Sequence, residues 1–213
     1  TWQDREGGRR PARPGLRRRP RATRRPDVQR LAVNKFMDDD GVKPVARAVA
    51  VEEGLGPKTI KLLVVGNGGV TLTQSQKTQL EEYFNGDRYA TPPTDGVLLT
   101  NHQVTVFNFE PRVITIVATV VWPGGNVESI RNALLALFTP LAVEDDGVTA
   151  TWDFNGWVSR SRVYSEIHDV DSAIADVPTL LINGAPSSLR LGANQLPTST
   201  AANIVINIQE TVP

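Results

Sequence analysis

The segment "RVITIVATVVWPGG", Arg112–Gly125, constrains the fold more than any other. Ile114, Ile116, Ala118 and Val120 alternate to one side, and Val113, Val117 and Val121 fall on the other. A β run that is largely apolar on both faces predicts a central strand, because an edge strand or a two-layer surface strand would leave one row in water. Pro123-Gly124-Gly125 stops the run. "NVESIRNALLALFTPLA" then predicts a helix to lie against it. Asn126 is placed as N-cap, Glu128 near the positive end of the helix dipole, and Pro140 past the end. Val127, Ile130, Leu134, Leu137 and Phe138 form the stripe that this helix buries.

The same alternation of short strands and amphipathic helices runs through the rest of the chain. "PDVQRLAVNKF" sets Val28, Leu31, Ala32 and Phe36 on one helical face, with Asp27 as N-cap. "PVARAVAVEE" and "KTIKLLVVG" are two strands joined by the turn "GLGP", and Ile60, Leu62 and Val64 share a face. Thr73 and Gln76 form a capping box that opens a helix carrying Leu80, Tyr83 and Phe84, and Asn85-Gly86 closes it. A strand through Val104, Val106 and Asn108 follows, and Pro111 is expected to act as a hinge. Beyond Pro140 come a looser, Trp-containing stretch and a helix anchored by Val163, Ile167 and Val170. Two strands around a turn-rich connection close the chain. Ile204, Ile206 and Ile208 alternate with polar Asn203, Asn207 and Gln209, which predicts a half-exposed edge strand.

Formal net charge is zero over the whole chain, but this averages two unlike parts. Residues 1–30 hold eleven Arg against Asp4, Glu6 and Asp27, and the remainder holds 12 basic and 20 acidic residues. The stretch "GGRRPARPGLRRRPRATRRP" has almost nothing to fold with, and Pro11, Pro14, Pro20 and Pro26 hold it extended. Three readings stand side by side: an arm for nucleic acid or another acidic surface, a docking strap within an assembly, and a frame-shifted or truncated segment. With no aromatic residue among these arginines, a stacking platform for single strands is missing. The acidic body should repel phosphate backbones.

Little in the chain points to catalysis. Without Cys there is no thiolate nucleophile, disulfide or thiolate metal site. No apolar run reaches membrane-span length. Gly66, Gly68 and Gly69 have neither the dinucleotide nor the P-loop spacing, and a plain connecting turn is expected there. No Gly-x-Ser-x-Gly elbow is present. His102 has no second ligand at metal spacing, and His168 with Asp171 makes a lone helical pair. Asp38, Asp39 and Asp40, and also Glu144, Asp145 and Asp146, are expected to be solvated turns. A nucleophile, base and oxyanion donor do not come together, so the chain is expected not to be an enzyme, with no cofactor and no metal.

The order of elements resembles the C-terminal half of the baseplate J-like family of contractile phage tails. The resemblance is carried by "GVKPVARAVAVEEGLGPKTIKLLVVGNGG", "LTQSQKTQLEEYF" and "NHQVTVFNFEPRVITIVATVVWPGGNVESIRNALLALFTPLA". "VSRSRVYSEI" and "LRLGANQLPTSTAANIVINI" extend it over roughly residues 27–213. Family members carry a larger N-terminal half, little of which is recognisable here. The resemblance implies a wedge protein that rings a baseplate hub and relays the trigger for sheath contraction. Its implied partners are other wedge proteins, a second copy of itself, and hub and sheath-proximal tail proteins. The implied location is the virion tail baseplate, with assembly in the host cytoplasm and no membrane partner.

The expected architecture is therefore α/β (α+β). An Arg/Pro-rich extended segment, 1–26, precedes two tandem small α/β sandwich modules, 27–110 and 111–213. Each has helices on one face of a short mixed or antiparallel sheet. Contact residues are expected at Trp152 and Trp157 in the loop, at Ile204, Ile206 and Ile208 on the edge strand Asn203–Glu210, and at Arg17, Arg18 and Arg19 of the basic segment. The alternative is a nucleic-acid-binding module that uses the Arg-rich arm, although nucleic acid is not the expected partner. A weaker one is a small-molecule binder that uses the Gly66–Gly69 loop.

Overall fold

A computed structural model describes residues 22, 24–86, 95–98, 102–144, 146–147 and 149–210. Among the described residues the fold is mixed α+β, with four helices and several small sheets. Helix α1, Arg25–Asn34, buries Val28, Leu31 and Ala32, as its 3.6-residue spacing requires. It starts two residues before the expected cap. Arg24 occupies the N-cap position without a side-chain bond, and Asp27 sits in the first turn. Pro26 is tolerated there because the first helical N–H groups have no intrahelical acceptor. Ala22 is fully buried, and its N–H donates to Val97 O at 2.9 Å, so the chain is anchored ahead of α1.

Strands β1, Val45–Glu52, and β2, Thr59–Gly66, pair antiparallel. A register shift between Val45 and Arg47 changes the phase of β1, so Val45 and Ala50 are both buried while Val51 is exposed. Helix α2, Gln74–Asn85, opens with the complete Thr73–Gln76 capping box and buries Leu80 and Phe84. Gly86 follows with φ 79°, a conformation costly for residues with a Cβ. Strand β3, Gln103–Asn108, lies parallel to β2 and completes the sheet β1-β2-β3. Ile60, Leu62, Val64, Val104 and Val106 from its inner face meet Leu31, Phe36, Leu80 and Phe84 in one hydrophobic cluster.

The turn Asp38–Asp40 is not simply solvated. Asp38 accepts bonds from Val42 N and from Gln76 Nε2, at 2.9 and 3.1 Å. Asp39 accepts from Gln79 Nε2 at 2.6 Å. The acidic run thus ties the end of α1 to the start of α2.

The chain runs from β3 into β4, Glu110–Val113, where Pro111 lies within a paired strand and not in a free hinge. Strand β5, Ile116–Val121, follows, then α3, Val127–Leu137, with Asn126 Oδ1 accepting from Glu128 N. Gly125 allows close packing: a Cβ there would lie 2.0 Å from the Trp122 indole. Next come β6, Trp157–Val158, and α4, Arg160–His168. Strands β7, Asp176–Ile182, β8, Leu189–Arg190, β9, Gln195–Thr198, and β10, Ile204–Gln209, are the last of the described elements.

Strand β5 is central in the sheet β10-β5-β7, parallel to β10 and antiparallel to β7. Its rows are unequal. Ile114, Ile116, Ala118 and Val120 are fully buried; on the other row Val121 is also buried, Val117 and Thr119 are half-buried, and Val113, back in β4, is exposed. The buried row joins Ile130, Leu134 and Phe138 of the α3 segment and Val163 and Ile167 of α4 in a second cluster. Helix α4 ends at His168, earlier than the sequence pattern suggests, because Asp171 turns the chain by accepting from Ala173 N at 2.8 Å.

The two clusters meet across the outer face of β1-β2-β3. Val65 of β2 is buried in the second cluster. Lys61 Nζ donates to Asn194 Oδ1 at 2.7 Å and lies 5.1 Å from the Phe107 ring centroid. The Arg47 guanidinium sits 5.5 Å from the Phe154 ring centroid and 3.6 Å from Asp153, and its Nη1 has no hydrogen-bond partner among the described residues. Burial lowers the Arg47 pKa, and Asp153 opposes that only partly. The charge therefore costs desolvation that an exposed carboxylate does not fully offset. Arg47→Met should be neutral or stabilising by about 1 kcal/mol or more in urea unfolding, whereas Arg47→Asp should be destabilising.

Candidate interaction surfaces

Trp152, expected at a surface, belongs to the core. Only 3% of it is exposed. Its ring stacks on Phe138 at 5.8 Å, and its Nε1 donates to Leu137 O at 2.6 Å, satisfying a carbonyl left open at the end of α3. Arg162 lies 5.9 Å from the same ring centroid and makes a two-pronged pair with Glu144, at 2.9 and 2.7 Å. Glu144 is thus a structural partner and not a solvated loop residue. The expected contacts at Ile204 and Ile206 are corrected in the same way: both side chains are buried in the second cluster, and Ile208 packs against it half-buried. Amphipathic alternation located the strand, but its apolar row faces inward. Arg17, Arg18, Arg19 and Asp145 lie outside the described residues.

Trp157 is the expected contact residue that the fold does present to solvent, being 57% exposed. Strands β6 and β8 pair it with Arg190, whose guanidinium lies 5.8 Å from the indole centroid. A second surface is the outer face of β10-β5-β7, away from α3 and α4. Val205, Val117 and Leu181 are aligned there by register, exposed or half-buried.

Sheet edges are treated unequally. On β3, the Asn85 side chain mimics a neighbouring strand by bonding both Val104 N and Val104 O at 2.8 Å. Glu81 accepts from Val106 N at 2.7 Å, and Asn108 makes a reciprocal pair with Leu72. On β7, Pro178 and the Arg160 Nε bond to Leu180 O at 3.3 Å serve a similar purpose. On β10, a long 3.5 Å contact from Arg131 Nε to Ile204 O is the corresponding feature. Among the described residues no strand pairs with the outer side of β10, and Ile204–Gln209 carries no charge.

The chemically suggestive residues do not converge. His168 stacks on Tyr164 at 6.1 Å, and Asp171 is off the helix. His102 is half-buried, and its Nδ1 has no hydrogen-bond partner among the described residues. In the Gly66–Gly69 turn, the Gly66 and Asn67 amides are bonded to Val70 O and Pro44 O, which spends two donors that a phosphate would need. Among the described residues no cluster of three or more His, Asp or Glu could hold a metal ion, and no helix is long and apolar enough to cross a membrane.

No family model matches the chain, and no curated protein matches it. Among solved structures, it is similar to a chain of the anti-feeding prophage (AFP) baseplate, determined by cryo-EM with 6-fold symmetrisation. The TM-score is 0.59 at 11% identity, over 85% of this chain and 38% of the baseplate chain. The two share a fold at that level, and this chain spans 38% of the length of the chain it matches.

The contrast between the two tryptophans is measurable. Trp152→Ala should cost about 3–5 kcal/mol in denaturant unfolding. Trp157→Ala should change stability by no more than about 0.5 kcal/mol.

Proposed function

We propose that the chain is a non-enzymatic structural component of a baseplate in a contractile phage tail or related injection particle. The observation that carries this reading is the fold shared with an AFP baseplate chain over 85% of this sequence. It agrees with the resemblance of residues 27–213 to baseplate J-like proteins. The dispersed arrangement of the titratable groups also favours a building block over a catalyst.

In this reading the chain is a wedge protein. Residues 27–110 and 111–213 act as two stiff modules preceded by the basic segment 1–26. They meet other wedge proteins, a second copy of the chain, and hub and sheath-proximal proteins, and rigid-body shifts at those contacts relay the contraction trigger. Trp157, the Val205–Val117–Leu181 row and the open β10 edge are the surfaces offered for assembly. The protein resides in the tail baseplate and assembles in the host cytoplasm.

The test is fractionation of tail-like particles from the source organism, followed by quantitative mass spectrometry. The protein should co-sediment with intact particles at a fixed ratio to other baseplate proteins, and deleting its gene should abolish complete particles. Complete, contracting particles from the deletion strain would refute the reading.

A further inference from the structure

Trp157 and Arg190 form a surface pair with unused binding capacity. Arg190 is exposed and forms no ion pair among the described residues. Its guanidinium is held against an indole that is itself 57% exposed. Arg190 makes no hydrogen bond from its side chain to another described residue, so its N–H fork is open to a carboxylate. Arg160 stands nearby at the start of α4, its backbone N–H bonded to Ser188 Oγ at 3.0 Å, next to Leu189 of β8. Arg160 is half-buried and its Nε is already bonded to Leu180 O at 3.3 Å, so it lends positive charge near the pair without a free fork. The other cations of this region are committed: Arg162 to Glu144, and Arg47 to Asp153 and Phe154. One available guanidinium group held over an exposed Trp thus forms a local basic-aromatic site on a body that is otherwise acidic.

We propose that this face of the β6–β8 pair docks a short carboxylate-bearing segment of a partner protein, with Arg190 holding the carboxylate and Trp157 supplying apolar contact. Exposed Trp and Arg are the residue types that carry most binding energy at interfaces. A long polyanion such as nucleic acid fits less well. Beyond residue 30 the chain holds 20 acidic against 12 basic residues, so an extended phosphate backbone would leave the patch and meet like charge. A short acidic segment meets the patch alone. The inference goes beyond the baseplate reading and rests on local chemistry, so a solution assay tests it without any particle.

The purified chain is titrated with three probes: a blocked ten-residue peptide of alternating Glu and Ala, its Gln counterpart, and a ten-nucleotide oligo-dT. The readout is the Trp157 Nε1–H resonance, assigned by its loss in Trp157→Ala. The Glu peptide should shift it saturably and in a salt-sensitive way, and the Gln peptide should bind at least about fivefold more weakly. Arg190→Ala should weaken the Glu peptide at least about fivefold, and Arg190→Lys by less, with unchanged unfolding midpoints. If Arg190→Ala lowers the midpoint, Arg190→Gln replaces it. No saturable shift with the Glu peptide, equal affinity after loss of Arg190, or preference for oligo-dT would each overturn the proposal.

Discussion

The second half of the molecule depends on covering one apolar row, Ile114–Ile116–Ala118–Val120. All four side chains are fully buried. Any arrangement that left them in water would forfeit roughly 1.5–3 kcal/mol for each of the larger ones. Strand β5 therefore takes the centre of its sheet, and α3 and α4 are drawn over the same face. Trp152 then closes the end of α3, and the Arg162–Glu144 pair closes over Trp152. The chain of dependence runs outward from a strand to a helix, to a ring, to an ion pair.

The surface is what this packing leaves over. With helices on one side of β10-β5-β7, the other side keeps a short apolar row in which Val205 is exposed and Val117 and Leu181 are half-buried. The β3 edge is occupied by α2 side chains, while β10 leaves its outer edge largely open. Natural proteins guard free edges, and a chain that guards some and not others is distinguishing surfaces that must stay solitary from those that need not. Under the proposed structural role, the open β10 edge is a surface offered for assembly.

Much of the fold was legible in the sequence, and the misses have identifiable causes. Periodicity located β5, α3 and the Thr73 capping box because each is specified by neighbouring residues. The register shift in β1 was not legible, because a bulge changes the facing of residues without changing their composition. Trp152 and Ile206 were assigned to a surface because a loop tryptophan or an edge isoleucine carries no local sign of which way it points. That is decided by Phe138 and Leu137 O in the first case and by the second cluster in the other. Trp157 differs because its partner Arg190, 33 positions on in the numbering, leaves it at the surface. The roles of Glu144 and Asp38 were missed for the same reason, since their bonding partners are distant in sequence.

The most direct test of the central claim is a cryo-EM reconstruction of the tail-like particle from the source organism. The account predicts baseplate density that accepts the β1-β2-β3 and β10-β5-β7 layers without internal rearrangement, with the Trp157 face against a neighbouring subunit. A complete baseplate at side-chain resolution with no density for this chain would contradict it.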